Sequence, residues 1–514
     1  MLTAVVFTPL AGALAILLLA WLTKVIRWQG GSARRKPTPG WLKAGPRTQR
    51  ARSLALLVSV AELLLSVTVF LSYDLAQGGL QLITRADWIV PINAQYYLGV
   101  DGLSAPLVLL NGLLGLCAVL ASWNVRRRAK EHFIWLLVLQ TAVMGVFTSL
   151  DFVLFFVFWE LELIPMYLLI SIWGSGRKEY SALKFLAFTI FGSAFMLVGL
   201  LVLYFSTGTF DMVALGQQKE WSNLILPVQV VFFLFFTAFA IKLPSWPVHT
   251  WLPDAHTDAP TAGSVMLAGV LIKMGGYGLI RVCVTMFPEV AREYAWLLVA
   301  LGVMSVMYGA VVTMRQNDLK RMIAYSSISH MGLVLIGISS VGVAADRLSP
   351  VGLSGAALQM FTHGTITGLL FLLVGFVYEK AHTRYIPDLG GLAARMPFLA
   401  AFLVMAGLAS LGLPGLSGFV AELLVFLGTF SVWGWPTAIA VFSIVLTAGY
   451  ILWMVQRVMF GPALRRYDHV GDATLAEAIP VVLLFIAILA VGVYPAWLTD
   501  VFTSGVAPII SRFG

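Results

Sequence analysis

Polar positions in this chain are few, and they fall in bunches between long apolar runs. About 20 apolar residues cross a bilayer as a helix. The pattern predicts fourteen such spans, near 3–23, 53–73, 103–124, 132–150, 152–173, 181–205, 226–249, 261–287, 294–314, 322–341, 353–378, 397–429, 435–459 and 475–498. One stretch departs from the rhythm. The apolar run from Ile225 to Ile241 leads straight into Lys242, with Pro244 and Pro247 just behind it. A polar patch with His249, Asp254, His256 and Asp258 follows, and the next apolar run carries Lys273. A charge at the bilayer centre costs at least about 2.5–3.5 kcal/mol, and proline removes a backbone donor. Both persist at membrane depth only where protein or water satisfies the freed groups. The fold expected is an all-α polytopic membrane protein with a seventh helix broken at Leu243-Pro244 and a twelfth broken at Leu413-Pro414.

Composition agrees with the pattern. Of 514 residues, 60% are hydrophobic and only 11% charged, against roughly 25% charged in soluble proteins. Cys117 and Cys283 form no CxxC pair, so no cysteine zinc or iron–sulfur site is expected. The glycine-rich pieces lie in apolar runs and match neither a dinucleotide fingerprint nor a phosphate loop. His249 and His256 lack a third ligand at metal spacing. The chain is therefore expected to carry no cofactor and no metal.

The net charge of +9 equals the nine basic residues between Lys24 and Arg52. They lie in a loop between two spans, and 24 of the 33 basic residues fall in loops on that same side. The excess of lysine and arginine marks the cytoplasmic side, so both termini face outward and no nucleic-acid partner is expected. The 27–50 stretch has no apolar period and reads as partly disordered. Met1 to Thr23 reads as a retained first helix. The loop from Tyr73 to Gly102, with Trp88, Tyr96 and Tyr97, reads as an ordered external segment.

Spans four to eight and nine to thirteen each hold one broken helix. Two groups of five spans must insert in opposite senses, the mark of an inverted repeat with function at the interface. The chain then divides into 1–130 (three helices and the basic loop), 131–290 and 291–460 (the two repeats) and 461–514 (the fourteenth helix).

The charged groups inside spans are the functional candidates. Glu160, at the centre of span five, is expected to pair with Lys242, while Glu162, two residues on, points to another face. Burial favours a neutral amine and a nearby carboxylate favours the ammonium, so motion between the pair would load and unload a proton; the plainer alternative is a static salt bridge. Lys273 lies about 18 Å into its span at helical rise, too deep to snorkel with ease. His330 and His363 suit a relay because imidazole titrates near neutrality, or are hydrogen-bonded core histidines. Glu422 follows the Pro-Gly-Ser-Gly break as a terminal acceptor. Lys184 is expected near Glu160, and His249 at a cap or relay entrance. Glu62 has no account.

The stretches WELELIPMYLLISIWG, IKLPSWPVHTWLPDAHTDAPTAGSVMLAGVLIKMGGYGLIR, DLKRMIAYSSISHMGLVLIG and LASLGLPGLSGFVAEL resemble the antiporter-like subunits of respiratory complex I, in particular subunit M (NADH dehydrogenase subunit 4) and its photosynthetic relatives. GVDGLSAPLVLL around Asp101 is similar to the same family. The resemblance covers roughly residues 95–460 and implies fourteen core helices, two inverted five-helix repeats and one proton channel. It implies that Glu160 is the pumping glutamate, Lys242 its lysine partner, Lys273 the central lysine, His330 and His363 polar-axis histidines and Glu422 the exit residue. Sister subunits generally carry lysine at that exit, so Glu422 favours subunit M. The Glu160–Glu162 doublet is similar to the photosynthetic version, leaving NADH and ferredoxin both open as donor. Flavin and iron–sulfur clusters would sit on other subunits. Partners implied are neighbouring membrane-arm subunits, lipid, water and protons, in a bacterial inner or a thylakoid membrane. The competing readings are an Mrp-type Na+/H+ antiporter subunit and a structural spacer.

Overall fold

The computed structural model describes residues 1–29, 46–218, 220–221, 223–342 and 348–513. Most of the basic loop expected between 27 and 50, together with Lys219 and Arg347, lies outside these residues. Among the described residues eleven helices are long and apolar enough to cross a membrane, and five shorter apolar helices accompany them. The protein is a mostly helical integral membrane protein. The helix after Trp433 runs on as Trp435–Val458 and is followed by Leu475–Val493.

The expected breaks are present. Val228–Lys242 stops at Lys242, and the chain resumes as Trp251–Asp258. Pro397–Ser410 stops before Gly412, and Ser417–Trp433 restarts after Pro414. A third irregularity was not expected. Span five runs from Phe152 to Trp173 with its hydrogen bonding interrupted at Glu162, whose own φ and ψ stay helical. Pro165 explains it: a proline inside a helix crowds the carbonyl four residues back and leaves it unbonded, and that carbonyl belongs to Leu161. Thr261–Val284 is continuous, but its turns widen to π geometry over Leu267–Leu271 and Leu279–Val284.

Two elements lay hidden from a search for 20-residue runs. The segment after Tyr73 folds into an antiparallel hairpin, Gln81–Ile89 against Ala94–Val100, turned through Asn93 at φ 53°. After Leu475–Val493 comes a further helix, Ala496–Ile510, which buries Leu498, Val501, Phe502, Gly505, Val506 and Ile509.

The basic loops share one face. Trp173 Nε1 donates to the Arg127 carbonyl at 2.7 Å, Arg384 Nε to Asp318 Oδ2 at 2.6 Å, and Lys380 Nζ meets Glu477 Oε2 at 3.1 Å. The hairpin lies at the other end, tied by Arg85 to Asp211 at 2.9 Å and by Tyr73 to Ser504 at 3.2 Å.

Burial separates the helices sharply. Thr261–Val284, Leu319–Val341 and Pro350–Ala381 are enclosed almost throughout, whereas Gln49–Leu71 and Leu475–Val493 are mostly turned outward. Small residues let the enclosed helices touch, as membrane helix packing requires. A Cβ on Gly364 would stand 2.7 Å from the Gly269 carbonyl, and one on Gly428 only 2.1 Å from the Gly352 amide. The first of these contacts brings His363 against the helix that carries Lys273.

Candidate functional site

Lys242 is the last residue of Val228–Lys242, is 1% exposed, and forms its ion pair with Glu162. This corrects the expected Glu160 pairing. Residues two apart on a helix point about 200° apart, so the two glutamates lie on different faces. Nothing in the pattern says which face is inward, and here it is that of Glu162. Glu160 is partly buried; its Oε1 has no hydrogen-bond partner, and the Ser193 hydroxyl faces it without closing a bond. Its carboxylate still lies within electrostatic reach of Lys242.

The pair sits in a shaped electrostatic setting. The ammonium lies 5.6 Å from the Trp159 ring centre and 5.5 Å from that of Phe185, where ring quadrupoles attract a cation. Lys242 ends its own helix, at the negative end of that helix dipole.

Lys273 is fully buried; it donates to the Ala268 carbonyl, five residues back in the widened π segment, and meets His363 Nδ1 at 2.8 Å. The rings of His363 and His330 lie 5.5 Å apart, centre to centre. His330 Nδ1 is 3.3 Å from Glu422 Oε1, and its Nε2 is 3.3 Å from the Ser410 hydroxyl. The structure therefore brings Lys273, His363, His330 and Glu422 into one buried line. Lys242 and Lys273 share no bond, although their helices touch: a Cβ on Gly275 would stand 2.4 Å from the Leu243 amide.

Gly412 holds the end of this line. Its φ of +80° suits glycine, and a Cβ there would lie 2.7 Å from Glu422 Oε2.

Lys184 does not pair with Glu160. Its ammonium is 2.7 Å from Asp254 Oδ2, in a network on the basic face. Asp254 also faces Arg321 at 3.5 Å; Asp258 accepts from Ser181 at 2.6 Å and faces Arg384 at 3.9 Å. His249 packs its ring edge on Tyr308, 4.9 Å between centres, with Nδ1 buried and unpartnered. His256 stacks on Phe371 at 4.6 Å, both ring nitrogens buried and unpartnered. Glu62 is buried in Pro46–Leu71 with neither oxygen hydrogen-bonded.

Sequence reasoning missed Lys320, which precedes the tenth expected span, 322–341. It is 2% exposed, the second residue of Leu319–Ile338, and donates to the Ala259 carbonyl at 2.7 Å and approaches the Ser264 hydroxyl at 3.3 Å. The signal was Asp318, whose side chain caps that helix by accepting from the Arg321 amide.

A family model described as NADH:quinone oxidoreductase/Mrp antiporter, TM, matches residues 149–447, which span every residue of the lysine–histidine–glutamate line. The chain belongs to this family. It is 41% identical over 482 residues to NADH-quinone oxidoreductase subunit M of Rhodobacter capsulatus, covering 91% of this chain and 92% of the relative. It is 44% identical over 463 residues to NAD(P)H-quinone oxidoreductase chain 4 1 of Synechococcus elongatus, covering 88% and 85%. Among solved structures, a chain of respiratory complex I from Thermus thermophilus with bound NADH superposes over the full length of both chains with TM-score 0.86 and 28% identity. A chain of the Mrp complex from Dietzia sp. superposes with TM-score 0.82 at 20% identity, over 100% of this chain and 99% of that one, and so shares the fold.

Proposed function

We propose that this chain is a proton-translocating membrane-arm subunit of an NADH-quinone oxidoreductase, driven by electron transfer to quinone on other subunits. The observation that carries the reading is the buried line Lys273–His363–His330–Glu422 beside the Lys242–Glu162 pair. The names of the subunit M and chain 4 relatives support the complex.

At rest Lys242 is held by Glu162, with Glu160 as a second carboxylate within reach. A disturbance of charge in a neighbouring subunit draws the pair apart. A buried ammonium without its counter-charge is expensive, so Lys242 sheds its proton toward Lys273. Lys273 hands on to His363 Nδ1, the two imidazoles carry the proton across, and Glu422 receives it. Water bridges the step between the two lysines and the step between the histidine rings. In this reading 131–290 is the entry half and 291–460 the exit half. Flavin and iron–sulfur clusters belong to other subunits, and the neighbours are other membrane-arm chains in a bacterial inner or a thylakoid membrane.

The test is proton uptake into vesicles carrying the reconstituted complex, with Lys242→Met/Glu162→Gln, which removes the pair without stranding either charge. The complex is expected to assemble, reduce quinone and pump poorly. Normal pumping would overturn the reading, and sodium-dependent proton exchange without an electron donor would replace it with the antiporter.

A further inference from the structure

On the hairpin face, opposite the basic loops, a cavity of about 1070 Å³ opens among Asp101, Thr285, Ser504 and their neighbours. Arg281 lines it as well, and its guanidinium meets Asp101 Oδ2 at 2.6 Å with both side chains about nine-tenths buried. Arg281 Nε donates to the Tyr277 hydroxyl at 3.2 Å, and Tyr277 is 1% exposed. The hydroxyl in turn donates to the Phe147 carbonyl at 3.4 Å. One turn further along the same helix stands Lys273. Within Ile272–Gly278 the two share a face, as residues four apart do, and are separated by about 6 Å of rise. From the cavity the polar contacts run from Asp101 through Arg281 to Tyr277 and stop one helical turn short of Lys273; Tyr277 and Asp101 meet only through the guanidinium. Two π segments, a feature frequent at functional sites, bracket that turn.

We infer that this cavity is a half-channel that meets the buried line at Lys273, through Tyr277 and the Asp101–Arg281 pair, and gives protons a second way out besides Glu422. The inference rests on the proton-translocating reading above. An N–H bond of Lys273 breaks and its proton passes to a bridging water. The Tyr277 oxygen takes a proton from that water and releases its own O–H proton, turned away from the Phe147 carbonyl, to a second water, which passes one of its protons to Asp101. The Asp101 carboxylate binds it and then loses it to water in the cavity. Arg281 keeps its charge throughout and holds Asp101 in place.

The test uses the whole complex in vesicles. Tyr277→Phe removes only the hydroxyl. Asp101→Asn is avoided, because a buried Arg281 without its partner threatens folding. Glu422→Gln is expected to keep part of the pumping, and Glu422→Gln/Tyr277→Phe to lose a further ~10²-fold, the scale of one positioned proton-transfer group. In Thr285→Cys, a sulfonated thiol reagent added at the hairpin face is expected to react and to slow pumping in the Glu422→Gln background. The native protein serves as control, since Cys117 and Cys283 are buried. The inference is overturned if Glu422→Gln alone abolishes pumping, if the double variant pumps as well as Glu422→Gln, or if Thr285→Cys does not react from that face. Lys242→Met/Glu162→Gln, which strands no charge, separates the two levels. If it pumps normally, the underlying reading has failed; if it does not pump and the Tyr277 and Thr285 results are negative, only the second exit is lost.

Discussion

Replacing Glu162 by Gln and, separately, Glu160 by Gln discriminates between the two carboxylates. Glu162 is fully buried and holds the ammonium of Lys242, itself 1% exposed. Removing one partner of such a pair strands the other charge and typically costs about 3–5 kcal/mol. Glu160 is only partly buried and makes no ion pair, so its replacement by an isosteric amide is expected to cost no more than about 1 kcal/mol, as a surface-type charge does. The two variants therefore separate. Glu162→Gln lowers the yield of assembled complex and its resistance to thermal inactivation, whereas Glu160→Gln leaves both in place. Adding Lys242→Met to Glu162→Gln removes the stranded charge. Replacing buried ion pairs by apolar groups is often neutral or stabilising by about 1–4 kcal/mol, so the double variant regains stability and still does not pump. The assay is thermal inactivation of quinone reduction together with dye-reported proton uptake on the same vesicles. Equal stability losses for the two single variants, or a double variant no more stable than Glu162→Gln, would refute the assignment of Glu162 as the partner of Lys242.

Further outcomes follow from the same geometry. His363→Ala removes the group 2.8 Å from Lys273, and coupled pumping is expected to fall by about 10²-fold while the complex assembles. Gly412→Ala places a Cβ at φ +80° and 2.7 Å from Glu422 Oε2; a left-handed L-residue alone costs about 1–2 kcal/mol, so a lowered inactivation temperature and slower pumping are expected, with Gly412→Asn milder. Gly364→Val forces Pro350–Ala381 away from the Gly269 carbonyl and is expected to act like His363→Ala by parting His363 from Lys273. Lys184→Ala removes a partly exposed pair with Asp254, worth about 0–1 kcal/mol, and is expected to leave stability unchanged within error in a thermal inactivation scan.

The chain's apolar runs made most of its helices legible, because lipid demands long stretches without charge. The site residues were legible for the complementary reason: Lys242, Lys273, His330, His363 and Glu422 break those runs, and four of them meet in one line. What escaped was whatever hydropathy does not encode. The inward face of span five is decided by packing against Val228–Lys242, so Glu162 and Glu160 were exchanged. Lys320 and Lys184 were assigned by position in the chain, yet their partners, Ala259 and Asp254, lie 60 to 70 residues away in sequence. Ala496–Ile510 keeps a helical period at Leu498, Val501, Phe502 and Val506 but is too short to register as a span. The hairpin pairs residues on two short strands and leaves no apolar run at all.

The breaks and the charges coincide, and the energetics explain why. Glu162 stands at the Pro165 interruption, Lys242 at the Leu243-Pro244 break, Lys273 between two π segments, and Glu422 in the second turn of Ser417–Trp433. A helix end contributes up to about 2 kcal/mol to a charge of the right sign in a partly buried setting. That is less than the several kcal/mol per ion that burial costs, so the helix end alone cannot hold Lys242 charged; the pair needs its own attraction. In the opening proposed above, Lys242 would keep the negative end of its own helix dipole and the faces of Trp159 and Phe185, so a lone ammonium there lies lower in energy than it would in the middle of an unbroken helix.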